Sequence, residues 1–481
     1  MRYRACMRLS PLRHLAVWLT LAALCCASLP ASLAQAAIMS KAEERKLGKQ
    51  VLGQVRRATV VLDDPYLEAY LKGIGDTIRK AMGAHEFEME FYVVADLGIN
   101  AFAVPGGYIF ITSEAILNCA DESELAGVIA HEMGHVEGRH IAYRAENASR
   151  VNVATVAAVL AGIFLGNPEL AVAATTFALA GAQTKMLQYS QFDEEDADRR
   201  AVRALQPAGY DAWGLVRFME TLRKTSPTPD GIPAYMFTHP LPANRTAYLS
   251  ASLGDTPPVV ARAEQLGSLW RAQARVLVSH PRPWGLRLFR ERVLTHPSSA
   301  DAHLGLALLL RKQGQFEGAI TELQLAERLA PGNPEAFHEM AATRLRQGQV
   351  DEGLRLLEAL RRDGVAGPPV LRDLGWAYME TDRGAEALAV YDQLRETNAR
   401  WQELPYYRGL ALGKAGRAGE GHAELGRFHA EQGRRDLARR HFTAALEQLP
   451  SGPEKDAVRG ELEALERGPG DGARRPRGAP Q

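Results

Sequence analysis

A spacing of 34 residues constrains the second half of this chain more than any other feature. Gly314 (in KQGQFEGAI), Gly348 (RQGQVDEGL), Asp382 (TDRGAEAL) and Gly416 (KAGRAGEG) follow one another at that interval. Ala307, Ala341, Gly375 and Gly409 keep the same phase, as do Ala319, Gly353, Ala387 and Gly421, and Pro297 and Pro331 mark two starts. Small residues at fixed places let paired helices approach closely, and a period of this length is that of stacked helix pairs. One pair cannot bury its apolar face alone, so the pairs must stack. Residues 296–452 are therefore expected to form an α-solenoid whose concave surface suits protein partners. Residues 256–295 read as connecting helices, and 453–481, ending in RGPGDGARRPRGAPQ, as a disordered tail.

The other end of the chain carries an address. Arg2, Arg4, Arg8 and Arg13 form a basic region, Leu15 to Leu29 an apolar run, and Ala34-Gln35-Ala36 an A-x-A cleavage site. That combination is a secretory signal, so residues 1–36 are expected to be removed on export. Neither Cys25 nor Cys26 follows the small residue that lipid attachment needs. Three of the four cysteines leave with the signal, so Cys119 has no disulfide partner and reads as a small buried apolar residue. Lys+Arg and Asp+Glu total 57 each, and this balance gives no electrostatic case for nucleic acid or an anionic membrane as partner. The 46% hydrophobic and 24% charged residues are ordinary for a globular protein.

Between these ends, residues 40–83 read as helical, with Ser40 as N-cap and a second helix after Asp63-Asp64-Pro65. Residues 86–95 and 107–112 are rich in aromatic and β-branched residues and read as strands. NAFAVPGG, Asn100 to Gly107, joins a short apolar piece to a turn. The alanine-rich stretch 151–182 is broken at Gly166-Asn167-Pro168-Glu169 into halves too short for a bilayer of about 30 Å. It is expected to form a buried or partly buried helical hairpin, with a mobile apolar flap that touches substrate or makes peripheral contact with the membrane surface as the alternative.

The chemistry gathers at HEMGHVEGRH, residues 131–140. His131 and His135 stand four apart, on one face of a helix that Asp121 and Glu124 open as a capping box, and Glu132 follows the first histidine. In this H-E-x-x-H pattern two imidazoles bind zinc and the glutamate handles a proton. A catalytic zinc usually takes a third protein ligand. His140 lies nine positions after His131, about 180° around a straight helix, and is expected to be a structural histidine on the far face. Glu194 and Asp198, in EEDADRRAV, are four apart and share a helix face. One carboxylate there can bind the metal while the other accepts the free N–H of a ligand imidazole.

HEMGH, a following helix and EEDAD in that order resemble the gluzincin family that includes the CAAX-prenyl-protease and HtpX-type peptidases. NAFAVPGG, THPLPANR and C-terminal repeats with the tetratricopeptide period extend the resemblance over nearly the whole mature chain, to exported members of that family. It implies a mainly α fold with a small β-sheet, in which a zincin-like metalloprotease domain (37–255) precedes a tetratricopeptide α-solenoid. It also implies one Zn2+ held by His131, His135 and Glu194, with Glu132 as general base in peptide hydrolysis and Asp198 orienting a ligand. His239, in FTHPLPANR, would reach the metal, as a fourth ligand that keeps the enzyme latent or as a transition-state donor, with Arg245 steadying its loop. Gln191 departs from the arginine that relatives carry after the Tyr-Ser pair. The implied setting is the periplasm, with unfolded or misassembled outer-membrane proteins and the β-barrel assembly machinery as partners. Two readings compete with this one: a chaperone whose metal site is latent, and a membrane-embedded prenyl-protease-like enzyme.

Overall fold

The computed structural model describes residues 39–83, 87–95, 98–147, 162, 189–224, 235, 239, 245–254, 269–397 and 401–467. The expected export signal, the apolar stretch 151–182 apart from Gly162, the HPLP segment after His239 and residues 468–481 lie outside them.

Helix α1 (Lys41–Ala58) starts at a capping box between Ser40 and Glu43, and its Leu47, Val51, Leu52 and Val55 form one buried face. A two-residue strand follows, β1 (Val61–Leu62), paired antiparallel with Val94 and Val93. The helical reading of 40–83 did not anticipate it, because two residues carry no periodic signal. Asp64 then accepts from the N–H groups of Tyr66 and Leu67 to open α2 (Pro65–Met82). Strands β2 (Glu90–Val94), β3 (Ala101–Val104) and β4 (Tyr108–Thr112) complete a sheet of order β1-β2-β4-β3, in which only β2 and β4 run parallel. The apolar piece of NAFAVPGG is thus, among the described residues, one of the two edge strands. Both sheet faces are covered: Tyr92, Val94, Phe102 and Phe110 pack with α1, and Phe91, Val93, Ile109 and Ile111 enter the main core with α2. That explains strands apolar throughout rather than at alternate positions.

Among the described residues six helices follow in this half: α3 (Ser113–Asn118), α4 (Glu122–Glu137), α5 (His140–Asn147), α6 (Gln191–Leu205), α7 (Trp213–Lys224) and α8 (Arg245–Leu253). Every residue of α4 from Ser123 to Val136 is buried, and α6 and α7 flank it. Cys119 is buried after α3, its Sγ donating to the Ala115 carbonyl at 3.1 Å. No described helix is long and apolar enough to cross a membrane.

Beyond α9 (Leu269–Ser279) and α10 (Gly285–Thr295) the helices pair. The pairs are α11 (Ala300–Lys312) with α12 (Phe316–Leu329), α13 (Pro334–Arg346) with α14 (Val350–Arg362), α15 (Pro368–Glu380) with α16 (Gly384–Glu396), and α17 (Leu404–Lys414) with α18 (Ala418–Glu431). Gly314, Gly348, Asp382 and Gly416 sit in the turn inside each pair with φ of 74°, 85°, 59° and 79°. The 34-residue series is therefore a left-handed turn position, which explains three glycines and an aspartate, a residue that tolerates this region. After α19 (Arg435–Gln448) comes α20 (Pro453–Arg467), where a disordered tail was expected. Val458 is buried and Leu462 and Leu465 pack on the Phe442 cluster, so α20 covers the end of the last pair, as a terminal cap must in a solenoid.

One arginine ties the two halves together. Arg275 of α9 reaches Asp64 Oδ2 (3.1 Å) at the start of α2, and Glu335 (2.5 Å) and Glu339 (2.7 Å) of α13. Its guanidinium lies 4.1 Å from the Tyr66 ring centroid. Beside it, Gln273 donates to the carbonyls of Ile116 and Cys119, and Arg282 pairs with Glu114 at 2.6 Å. Removing one partner of a buried pair leaves an uncompensated charge. We expect Arg275→Ala to lower stability by about 3 kcal/mol, and calorimetry to resolve two transitions where wild type shows coupled unfolding.

Candidate metal centre

Two helices meet edge to edge to build the site. Asp121 caps α4 by accepting from the Glu124 N–H at 2.9 Å, and the helix then carries His131, Glu132 and His135 into the core. Ser190 and Asp193 form a capping box that opens α6, which places Glu194 and Asp198 one turn apart on the face toward α4. The helices touch at Gly134. A Cβ there would lie 2.8 Å from the Ala197 carbonyl oxygen and 2.9 Å from its Cα, so only glycine allows this approach.

His131, His135, Glu194 and His239 each offer a ligand atom, and the four atoms lie within 4.8 Å of one another. His131 Nε2 is 3.1 Å from His135 Nε2, 3.4 Å from Glu194 Oε2 and 3.4 Å from His239 Nδ1. His135 Nε2 is 3.5 Å from Glu194 Oε1. Ligands about 2.05 Å from one tetrahedral zinc ion stand roughly 3.3 Å apart, so the spacing fits such an ion. All four side chains are at most 2% exposed, and so is Glu132, whose two carboxylate oxygens accept no hydrogen bond among the described residues. Its Oε1 lies 3.4 Å from His239 Nε2. A buried carboxylate without a donor is costly unless a cation or substrate faces it.

The surroundings fix these groups. Asp198 Oδ1 stands 2.9 Å from His131 Nδ1, and Arg245 bridges Glu194 (2.5 Å) and Asp198 (2.7 Å). Arg245 is thus a buried counter-ion to two carboxylates, while residues 240–244 of the loop it was expected to steady lie outside the described residues. Burial alone would raise the Glu194 carboxyl, but Arg245 and His239 hold it well below the usual carboxylate range. Burial holds the His135 imidazole well below its ordinary value, leaving its lone pair free for a ligand role. Burial and Arg245 push His131 down, yet its hydrogen bonds with Asp198 and Glu194 carry it up to about 9. Burial raises Glu132, against the opposing pull of His239 and His131.

Three aromatic or imidazole neighbours carried no spacing signal for this site. Tyr189 stacks on His135 with ring centroids 3.7 Å apart and on His239 at 4.8 Å, and Tyr235 stacks on His239 at 4.4 Å. His140 is not on the far face. α4 ends at Glu137, Arg139 adopts φ of 52°, and His140 folds back to place its Nδ1 2.9 Å from His135 Nδ1. The straight-helix geometry failed because the helix ends at Glu137, three positions before His140.

This arrangement has relatives. Residues 65–253 match peptidase family M48, and residues 285–334 and 338–400 match tetratricopeptide repeats. The chain is accordingly a metalloprotease, with an M48 peptidase domain followed by a tetratricopeptide solenoid. It is 26% identical over 368 residues to the β-barrel assembly-enhancing protease of Escherichia coli (strain K12), covering 75% of this chain and 74% of that one. It is 33% identical over 211 residues to the protein of that name from Yersinia pestis, covering 44% of this chain and 43% of that one. Metalloprotease LoiP of Escherichia coli (strain K12) is 27% identical over 217 residues, 45% of this chain and 82% of that one.

Because Gly134 sets the distance between α4 and α6, Gly134→Ala should cost about 1–3 kcal/mol of stability through overpacking. Isothermal titration of the refolded variant with zinc should show weaker binding than wild type.

Proposed function

We propose that this chain is a periplasmic zinc endopeptidase that cleaves or holds misassembled outer-membrane β-barrel proteins. His131, His135 and Glu194 would hold the zinc, and Asp198 would fix the His131 tautomer by accepting its Nδ1–H. A bound zinc ion supplies Lewis-acid polarisation of the scissile carbonyl and brings the pKa of water to about 7. Glu132, raised by burial and without a hydrogen-bond donor among the described residues, is placed to take the proton of the attacking water and to pass it to the leaving amine. The observation that carries the reading is the convergence of four buried donor groups beside that unpartnered carboxylate.

His239 is the fourth donor. It is fully buried between Tyr189 and Tyr235 with Nδ1 2.8 Å from Glu194 Oε1, which supports its filling the position that water or substrate needs. On this reading the resting enzyme is latent, and His239 must leave before cleavage.

Two features support a protein client. β3 is an edge strand, able to accept an extended chain by backbone pairing, which selects unfolded or misassembled strands over folded proteins. The Tyr189 hydroxyl donates to the Ala103 carbonyl of that strand at 3.3 Å, so the same tyrosine touches both the strand edge and His135. A groove of about 1730 Å3 also opens between α2 and the solenoid, with Tyr66, Trp401, Arg271, Arg372, Asp63 and Glu68 on its walls. It gives the solenoid a mixed aromatic and charged surface for a client or for the assembly machinery. The names of the relatives favour a β-barrel client, and the export signal expected in residues 1–36 favours the periplasm.

Residues 37–481 should bind one zinc per chain and cleave unfolded casein. Glu132→Gln should keep the zinc and lose cleavage by about 10²–10⁴-fold. Cleavage surviving in that variant would remove Glu132 from the role of base. His239→Ala should bind zinc and cleave casein faster than wild type; slower cleavage would make His239 a transition-state donor instead.

A further inference from the structure

We propose that His140 is a positioning residue for His135, the end of a hydrogen-bond relay that fixes the orientation and tautomer of that imidazole. This inference rests on the reading of His135 as a metal ligand. The Nε2 of His135 faces His131 and Glu194, so a metal role requires its lone pair there and its proton on Nδ1. That proton points at His140 Nδ1, 2.9 Å away. His140 can accept it only as the tautomer protonated at Nε2, and Nε2 lies 3.2 Å from Asp196 Oδ2. Asp196 is in turn paired with Arg200 at 2.6 Å, which keeps it an acceptor. Proton positions therefore follow in one direction, from Asp196 through His140 to His135. His131 meets an equivalent demand through Asp198, so each imidazole of H-E-x-x-H has its own acceptor behind it.

The backbone is shaped to bring His140 to this place. Gly138 ends α4, and a Cβ on it would lie 2.2 Å from the His140 ring. Arg139 takes the left-handed conformation that L side chains rarely adopt, with φ of 52°. Its guanidinium is held by the buried Glu44 of α1, whose Oε1 is 2.7 Å from Nε, and by the Met39 carbonyl. The turn that returns His140 under His135 is thus clamped by the N-terminal helix, which lies outside the span that matches the peptidase family.

The test compares zinc affinities of full mature chains by competition with a chromophoric chelator, beside the melting temperature of each metal-free protein. His140→Leu removes the acceptor, His140→Asn keeps an oxygen acceptor close to the Nδ1 position, and Gly138→Ala drives the ring away while leaving the histidine in the sequence. The relay predicts zinc affinity about 10–100-fold weaker for His140→Leu and Gly138→Ala, with His140→Asn within a few fold of wild type. The absorption spectrum of the cobalt-substituted protein should change in His140→Leu and be restored in His140→Asn. Unchanged affinity in His140→Leu overturns the proposal. So does an equal loss in His140→Asn accompanied by a lowered metal-free melting temperature, because that pattern is one of packing alone. Wild type that binds no zinc in the same titration overturns the metal reading itself.

Discussion

Five groups that would each prefer water, His131, Glu132, His135, Glu194 and His239, are crowded into the dry space between α4 and α6. Lone pairs 3.1–3.5 Å apart repel one another unless protons or a cation lie between them. Arg245 offsets the carboxylates of Glu194 and Asp198 but leaves Glu132 without a donor among the described residues. The rest of the peptidase half answers this one electrostatic demand. α4 is buried from Ser123 to Val136, so its histidines cannot turn to solvent. Gly134 lets α6 come close enough to bring its carboxylates to them. Tyr189 and Tyr235 cover the imidazoles with flat apolar faces and exclude water, which strengthens every charge interaction inside.

The solenoid is not hung on this unit by a flexible tether. Arg275 sits between Asp64, Glu335 and Glu339 and against Tyr66, while Gln273 takes carbonyls at the end of α3. A buried charge network of this kind demands one relative placement, since any other leaves ions unpaired. The groove along α2 is therefore a defined cavity with walls from both halves. Something held against the repeats stays at a fixed distance from the peptidase core.

Much of this was legible in the chain. The 34-residue period foretold paired helices, and the structure adds its cause, a left-handed turn at Gly314, Gly348, Asp382 and Gly416. H-E-x-x-H and the Glu194/Asp198 spacing marked which side chains would share a space, because helical spacing alone puts them on facing sides. What spacing could not convey was where a helix stops. His140 looked misdirected on a straight helix, whereas Gly138 and Arg139 end that helix and reverse the chain. Arg245 and Tyr189 were equally hidden: their roles depend on contacts with residues tens of positions away, and no local pattern records them. The strand Val61–Leu62 and the capping helix Pro453–Arg467 failed for a related reason, since each is stabilised by what it covers rather than by its own sequence.

The most direct test of the central claim is X-ray absorption at the zinc edge on purified residues 37–481. The account predicts a first shell of nitrogen and oxygen alone at about 2.0–2.2 Å, with the outer-shell pattern of three imidazoles from His131, His135 and His239. A sulfur scatterer near about 2.3 Å, which only Cys119 or a methionine could supply, would contradict it, as would a protein that retains no zinc.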